Sequence, residues 1–435
     1  MFKFGFDIPT DEGGDGSDQK ATANMPEANL RSGDGNETHA DTSTTITISS
    51  KPAASVLNIS DVISSVFESD TLFEYVSVVR DDSGGGNSGE HESIPAVKPL
   101  RRVVFPPDKR LPSSLRASNN AIATAEKPTN ISSSCCEGEI IDTDSLADTD
   151  LIPGVYEGGL KVWECSLDLC RHLADEILRL HSSFEGGDGN GIDISANNDV
   201  YHALSKTGKT LELGCGHGLP ACLIFRELRK RWQNVGMSDS VTEVASSEDG
   251  CSVLFSDYNE FVLRDATVPN IVLNMDSERP CPNDKREWEK VQGCVGCVSG
   301  DWIDLSNKLQ TASLGDANET SSIPLPSDGR FDLILAAETT YTEESAMDTA
   351  RLFGRHLRVA TGVGLVATKR YYFGVGGGAD AFRQAAADIV VQATANGDRR
   401  RDCRLSIETV KSYDSGVGRD LLRVRLVPVD LYHEG

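Results

Sequence analysis

Several short runs of the chain carry residue types that could hold a ligand or face a developing charge. The first is Leu211-Glu212-Leu213-Gly214-Cys215-Gly216-His217-Gly218-Leu219-Pro220, which follows an apolar run and precedes a helix-like one, Ala221–Arg231. Gly214 and Gly216 permit a tight strand-to-helix turn and close approach of a ligand to the backbone. The dinucleotide fingerprint is G-x-G-x-x-G; here the third glycine comes one residue early and Leu219 takes its place. Glu212, two residues before the first glycine, suits a ligand that carries an ammonium group. In Phe255-Ser256-Asp257-Tyr258-Asn259 the acid ends an apolar run, where it can accept hydrogen bonds from two ribose hydroxyls. It lies about twice the usual ~20 residues from the first glycine, because Lys230 to Gly250 reads as a polar insertion. Ser299-Gly300-Asp301-Trp302 offers a carboxylate for an exocyclic amine and an indole face for an adenine. Ala336-Ala337-Glu338-Thr339-Thr340-Tyr341 places another carboxylate where an apolar run ends. Helix capping is the competing reading of Asp257 and of Glu338, and core packing that of Trp302. In Thr368-Lys369-Arg370-Tyr371-Tyr372-Phe373-Gly374-Val375-Gly376-Gly377-Gly378, aromatics and glycines suggest a loop that grips a substrate. It lacks the Lys-Ser/Thr ending of a phosphate-binding loop. Cys294-x-x-Cys297 is half of a zinc site with no second pair, so no metal is expected.

These runs need a scaffold that brings their ends together. Thr210–Leu213, Ser252–Phe255, Cys294–Val298, Phe331–Ala336 and Val363–Thr368 alternate with helical segments, the pattern of βαβ units and a parallel sheet. Leu405–Val410 and Leu421–Val427, joined through Asp414-Ser415-Gly416, read as a hairpin. Five parallel strands plus a C-terminal hairpin make the seven-stranded, Rossmann-like α/β sheet of class I methyltransferases. Ahead of it, Leu167, Cys170, Leu173, Ala174, Ile177 and Leu178 recur at helical spacing. A ligand with ammonium, ribose and adenine parts on such a sheet is S-adenosyl-L-methionine.

The 435 residues carry a net charge of −25, about half of it before residue 151. That balance argues against direct nucleic-acid binding, which needs phosphate neutralisation by Lys and Arg, and leaves room for a basic protein partner. The eleven cysteines are dilute, odd in number and often in apolar contexts, which implies a reducing compartment. No signal peptide or membrane span is legible, so a soluble, intracellular monomer is expected. Residues 1–150 read as a low-complexity, mostly disordered region with one candidate ordered stretch at 55–79, and residues 151–435 as the catalytic domain. Lys98, Arg101, Arg102, Lys109 and Arg110 form a basic cluster, a nuclear-import signal or, more simply, a solvated run.

The sequence resembles the histidine protein methyltransferases. The resemblance rests on Tyr156-Glu157-Gly158-Gly159-Leu160-Lys161-Val162-Trp163-Glu164-Cys165, Asp257-Tyr258-Asn259, the run Thr267–Asn274, Gly300-Asp301-Trp302, Glu338-Thr339-Thr340-Tyr341 and Tyr372–Gly378, with the Phe-rich start Phe2–Phe6. It spans about residues 151–430. It implies methylation of the tele nitrogen of a histidine in a large-subunit ribosomal protein, in cytoplasm and nucleus. It also implies a cofactor site of Trp163, Glu164, Cys165, Ser166 and Leu167 with Glu212, Gly214, Gly216, Asp257, Tyr258, Asn259, Gly300, Asp301, Trp302 and Ala337. Glu338 and Tyr341 would serve the acceptor, and Tyr371, Tyr372, Phe373 and Gly376 the protein substrate. Two departures stand out: the long insertion after the first crossover helix, and Ala337 where a hydroxyl side chain is expected.

Imidazole, with a reference pKa near 6.5, is mostly neutral and nucleophilic near pH 7, whereas lysine must lose a proton at a cost of roughly 4–5 kcal/mol. A histidine enzyme therefore needs alignment more than a strong base. A lysine methyltransferase is the alternative reading, since the Glu-x-x-Tyr strand end is shared with those enzymes. A non-catalytic, cofactor-dependent binder of a ribosomal protein is the third. Deleting residues 1–150 is expected to leave cofactor affinity largely intact.

Overall fold

The computed structural model describes residues 52–59, 62, 73–77, 97–103, 158–185, 197–205, 207–234, 252–275, 288, 292–313, 326, 328–393 and 401–429. Tyr156, Glu157, Phe2–Phe6, Lys109, Arg110 and most of the polar insertion lie outside them.

Three short strands come first: β1 (Ser55–Val56), β2 (Phe73–Val76) and β3 (Leu100–Val103). Helix α1 (Glu164–Glu185) follows. Then strands and helices alternate: β4 (Lys209–Leu213), α2 (Leu219–Asn234), β5 (Ser252–Asp257). A helical crossover comes next, formed by α3 (Glu260–Val262), a π-helical turn (Leu263–Thr267) and α4 (Val268–Asn274). It leads to β6 (Val295–Ser299), α5 (Trp302–Ser313), β7 (Leu333–Ala337), α6 (Glu343–His356), β8 (Val363–Lys369) and α7 (Ala379–Ala387). The chain closes with β9 (Val390–Ala393), β10 (Arg401–Tyr413) and β11 (Arg419–Pro428).

The main sheet runs β1-β6-β5-β4-β7-β8-β11-β10-β9. Strands β4 to β8 are mutually parallel, and β11 enters antiparallel beside β8, with β10 antiparallel on its far side. The last strand thus lies between the penultimate one and the parallel block, which is the strand order of the class I methyltransferase sheet. Two short strands extend the expected seven: β9 on β10, and β1 antiparallel on β6. The parallel strands are apolar without alternation because helices cover both faces; β4, β5 and β6 are buried along their whole length. Strand order reverses at β4, so β4 and its neighbours splay at their carboxyl ends, where open α/β sheets take ligands.

Helix α1 is locked onto the antiparallel edge by charge. Buried Asp168 accepts from Arg419 Nε at 2.6 Å. Asp199, in the segment after α1, accepts from Arg423 at 2.6 and 2.9 Å and meets His172 of α1 at 2.8 Å. Burial alone would raise the Asp199 carboxyl, but the His172 and Arg423 hydrogen bonds outweigh it and hold it near 2. The acids are thus fully paired, as buried charges must be.

The segments before residue 104 pack on this sheet. Leu57 N–H donates to the Cys297 carbonyl at 3.0 Å, and Asp301 N–H to the Pro52 carbonyl at 2.9 Å. Strands β2 and β3 pair with each other, and β3 is fixed to α4. Arg101 N–H donates to Asn274 Oδ1, Asn274 Nδ2 to the Arg101 carbonyl, and Arg101 Nη1 to the Leu273 carbonyl. Arg101 is therefore a buried structural arginine rather than part of a solvated basic run. Its guanidinium caps the end of α4, where free carbonyls favour a cation.

Candidate active site

At the carboxyl ends of β4, β5, β6 and β7 lies a cavity of about 360 Å³, within the range of small-molecule sites. The glycine turn after β4 forms its floor. Gly216 has φ +51°, and a Cβ there would lie 2.9 Å from the Gly159 carbonyl. Only glycine lets the leading segment cross so close to the turn. Asp257 reinforces that turn: its Oδ2 accepts from Gly216 N–H at 2.9 Å and its Oδ1 from Asn259 N–H at 3.1 Å. The π-helical turn inserts one residue's worth of backbone and brings Thr267 Oγ1 to donate to the Gly216 carbonyl at 2.6 Å. Such turns are rare and recur at functional sites. His217 clamps the same region: its Nε2 donates to the Leu160 carbonyl at 3.0 Å and its Nδ1 accepts from Asn270 Nδ2 at 3.0 Å. With a carbonyl on one nitrogen and an amide N–H on the other, the partners assign the Nε2–H tautomer.

Glu212 is buried on the cavity wall, and its Oε2 accepts from Ala221 N–H at 2.8 Å in the first turn of α2. Burial pushes its carboxyl up to about 8; the Ala221 bond opposes that rise and the Asp257 charge adds to it. A cation arriving beside it would draw it into the ionised form. Asp301 also lines the cavity, and its Oδ1 accepts from Ile303 N–H at 2.9 Å, so it serves the start of α5 as well. Trp302 stands across from Gly214.

Glu338 closes the far side. It is a non-glycine residue at φ +59°, strained in the way that clusters at ligand sites. Its Oε2 accepts from the Tyr372 hydroxyl and lies 3.4 Å from Lys369 Nζ. Its Oε1 is buried with no hydrogen-bond partner among the described residues. Burial, followed by the Glu338 charge, raises the Tyr372 phenol well above its ordinary range, so it remains a donor. Glu338 does not cap the next helix: Thr342 does, in a reciprocal capping box with Ser345. Asp257 is not a cap either, since Asn259 holds that position for α3.

The cavity brings together Trp163, Ser166, Glu212, Gly214, Gly216, Asp257, Tyr258, Asp301, Trp302, Ala337, Glu338 and Tyr341 from the sequence reading. Glu164, Cys165, Leu167, Asn259 and Gly300 do not line it. Helix α1 starts at Glu164, so Trp163 and Ser166 share the cavity side. Glu164 faces solvent, while Cys165 and Leu167 turn into the core. Asn259 presents its backbone to Asp257 instead. Gly300, at φ +122°, is backed by the N-terminal segment; a Cβ there would meet Ala54 Cα at 2.6 Å. Of the gripping loop, Tyr372 touches Glu338, Gly376 bridges to Thr342, and Tyr371 and Phe373 are exposed. Sequence reasoning missed Gly158, Gly159, Lys161, Val162, Cys215, His217, Thr339, Thr342, Glu344, Ser345, Asp348 and Val375 on the cavity wall. The first four lie in the leading segment already singled out. Thr339 supplies, two residues on, a buried hydroxyl in place of the one absent at Ala337.

No family model matches the chain. A curated protein does: a histidine protein methyltransferase 1 homolog of Dictyostelium discoideum is 31% identical over 280 residues, covering 63% of this chain and 60% of that protein. The homolog of Rattus norvegicus is 29% identical over 317 residues, covering 67% and 68%. Histidine protein methyltransferase 1 of Schizosaccharomyces pombe is 29% identical over 282 residues, covering 63% and 66%. The chain is similar to the histidine protein methyltransferases. Its match spans less than two-thirds of the Dictyostelium histidine protein methyltransferase's length. Among solved structures, an O-methyltransferase family protein from Burkholderia thailandensis aligns over 60% of this chain and 61% of its own, at 11% identity and TM-score 0.28. The O-methyltransferase TomG from Streptomyces achromogenes, solved in complex with SAM, aligns over 62% and 92%, at 11% identity and TM-score 0.27. At such scores the fold of this chain rests on its own strand order.

The residues present fit S-adenosylmethionine. Trp302 Nε1, Thr339 Oγ1 and Glu338 Oε1 are buried around the cavity without partners among the described residues. Its wall carries the acids Glu212, Asp257, Asp301, Glu338, Glu344 and Asp348. Orphaned donors and acceptors at a cavity wall imply a polar ligand, and the acids select one that carries positive charge and hydroxyls.

Proposed function

We propose that this protein is an S-adenosylmethionine-dependent protein-histidine methyltransferase, acting on the tele nitrogen of a histidine in a basic protein of the large ribosomal subunit. The observation that carries the reading is the Glu338 carboxylate on the cavity wall: Oε2 is held by Tyr372 and Lys369, and the buried Oε1 has no hydrogen-bond partner among the described residues. When bound, the cofactor supplies an electrophilic methyl group on a sulfonium. Glu212 and Asp301 would hold its cationic and adenine ends, Asp257 its ribose, and Trp302 the adenine face.

The chain's own task is then alignment, which can replace much of a bimolecular barrier. Glu338 Oε1 accepts the N–H of the pros nitrogen and thereby fixes the tautomer, leaving the tele nitrogen's lone pair toward the methyl group. Methylation of the tele nitrogen would leave positive charge on the imidazole ring. Glu338 faces that charge, and the ring later loses a proton to water. No strong base is required, and the burial that excludes water from Glu338 strengthens its field.

The test is an extract of cells lacking the protein, incubated with purified enzyme and methyl-labelled cofactor, followed by acid hydrolysis of the labelled band. The expected product is tele-methylhistidine in a basic protein of ribosomal size. Methyllysine would replace this reading with the lysine one, and cofactor binding without label would leave a non-catalytic binder.

A further inference from the structure

The free oxygen of Glu338 does not by itself distinguish a histidine from a lysine. An acid beside aromatic rings is, if anything, a familiar way to hold an ammonium. That position is already taken. Lys369, the last residue of β8, places its Nζ 3.4 Å from Glu338 Oε2, 4.9 Å from the centre of the Trp163 ring and 5.2 Å from that of Tyr372. The three partners come from the leading segment, the end of β7 and the gripping loop, so the cage is assembled by the fold rather than by one local turn. Lys369 is only 14% exposed and Glu338 only 7%, so solvent screens the pair poorly.

Resting on the histidine reading above, we propose that Lys369 is the residue that selects histidine over lysine, by filling with the chain's own ammonium the cage a substrate lysine would need. A neutral imidazole can approach Glu338 Oε1 beside that charge. A substrate ammonium would come within a few ångströms of a like charge, in surroundings where such repulsion is strong. Lys369 also holds Glu338 through the oxygen it does not offer to substrate, so it acts as a positioning residue for the carboxylate.

The experiment uses the full chain saturated with S-adenosylhomocysteine. Two side-chain analogues, 4-methylimidazole and n-butylammonium, are titrated by ligand-observed NMR. Wild type should bind 4-methylimidazole at least about tenfold more tightly than n-butylammonium, the scale expected for one close like charge in partly buried surroundings. Lys369→Met should erase or invert that preference, whereas Lys369→Arg, which keeps the charge, should retain it. If circular dichroism shows Lys369→Met misfolded, Lys369→Gln gives the same reading. Equal binding of the two probes by wild type, or an unchanged preference in the uncharged variant, overturns the filter. If the extract assay still yields methylhistidine, that failure is the filter's alone; methyllysine as the product would instead remove the histidine reading beneath it.

Discussion

Two carboxylates of the cavity wall, Glu338 and Glu212, differ in what surrounds them. In Glu338 the two oxygens differ: Oε2 is held by Tyr372 and Lys369, and the buried Oε1 has no hydrogen-bond partner among the described residues. Glu338→Gln keeps the shape but loses the charge and the grip of Lys369. We expect kcat to fall by about 10²-fold or more, the lower range for a lost preorganised electrostatic partner, with little change in cofactor Kd. Tyr372→Phe should fall between the two. Full turnover in Glu338→Gln, measured with the substrate the extract assay identifies, would remove its role. Glu212 behaves differently, because burial leaves it with a pKa of about 8. Its folded-state value lies above its unfolded one of 4.5. The stability it contributes is therefore complete below about 4.5 and lost as pH rises through 8. A cationic ligand reverses the preference: binding favours the ionised form and expels a proton. Cofactor affinity should tighten with pH up to about 8, by at most about tenfold per unit, and Glu212→Gln should flatten the profile. Calorimetry in two buffers of different ionisation enthalpy would reveal the released proton; none released near pH 7 would contradict the account. Asp257 and Glu338 were legible in the sequence because each ends an apolar run, and Glu212 because it stands two residues before the first glycine of the turn. The division of Glu338's oxygens was not, since it needs Lys369 and Tyr372 from a different strand end.

The elements that support these residues were legible to different depths. The five parallel strands and the hairpin announce themselves by apolar runs and turn residues. The strand order follows from a long antiparallel closure that no local pattern encodes. The π-helical turn at Leu263–Thr267 has no sequence signature either, although Thr267 and Asn270 fall in the run that resembles the family. The segment before residue 104 changes an expectation. Low complexity around it masks the few apolar residues of Ser55–Val56 and Leu100–Val103 that dock. Pro52 accepts from the Asp301 amide, β1 extends the sheet at β6, and Ala53–Ala54 back Gly300. These contacts reach the strand end that faces the adenine position. Deletion of residues 1–57 should therefore weaken cofactor binding roughly tenfold, as expected for the loss of one or two hydrogen bonds that position a wall of the site. Calorimetry on the truncated and full chains measures it. Equal affinities would show that β6 and Asp301 hold their places unaided, as the sequence alone suggested.

At the scale of the molecule, charge and exposed apolar surface meet at the mouth of the site. Net charge is −25. Glu343, Glu344 and Asp380 are exposed on the helices that flank the gripping loop, and the loop itself exposes Tyr371 (61%), Phe373 (79%) and Val375 (47%). Gly376 is tied to Thr342 by a β-bridge, which holds the loop against the start of α6 where two of those acids stand. A basic protein would be drawn by the acids and held by the aromatics. Its encounter with the enzyme should then depend on salt, whereas the cofactor, bound in a buried cavity, should be affected far less. Between roughly 0.1 M and 1 M salt the Debye length shrinks from about 10 Å to about 3 Å. Over that range kcat/KM for the protein substrate should fall by about tenfold or more, the lower end of what electrostatic steering contributes to association. Cofactor Kd should change little. The double variant Glu343→Gln, Asp380→Asn should lower kcat/KM at low salt and flatten its salt dependence, leaving kcat at saturating substrate unchanged because neither acid lines the cavity. A salt-independent kcat/KM would mean that recognition rests on Tyr371 and Phe373 and on the shape of the acceptor loop. The acidity of the chain would then serve its solubility and not its choice of partner.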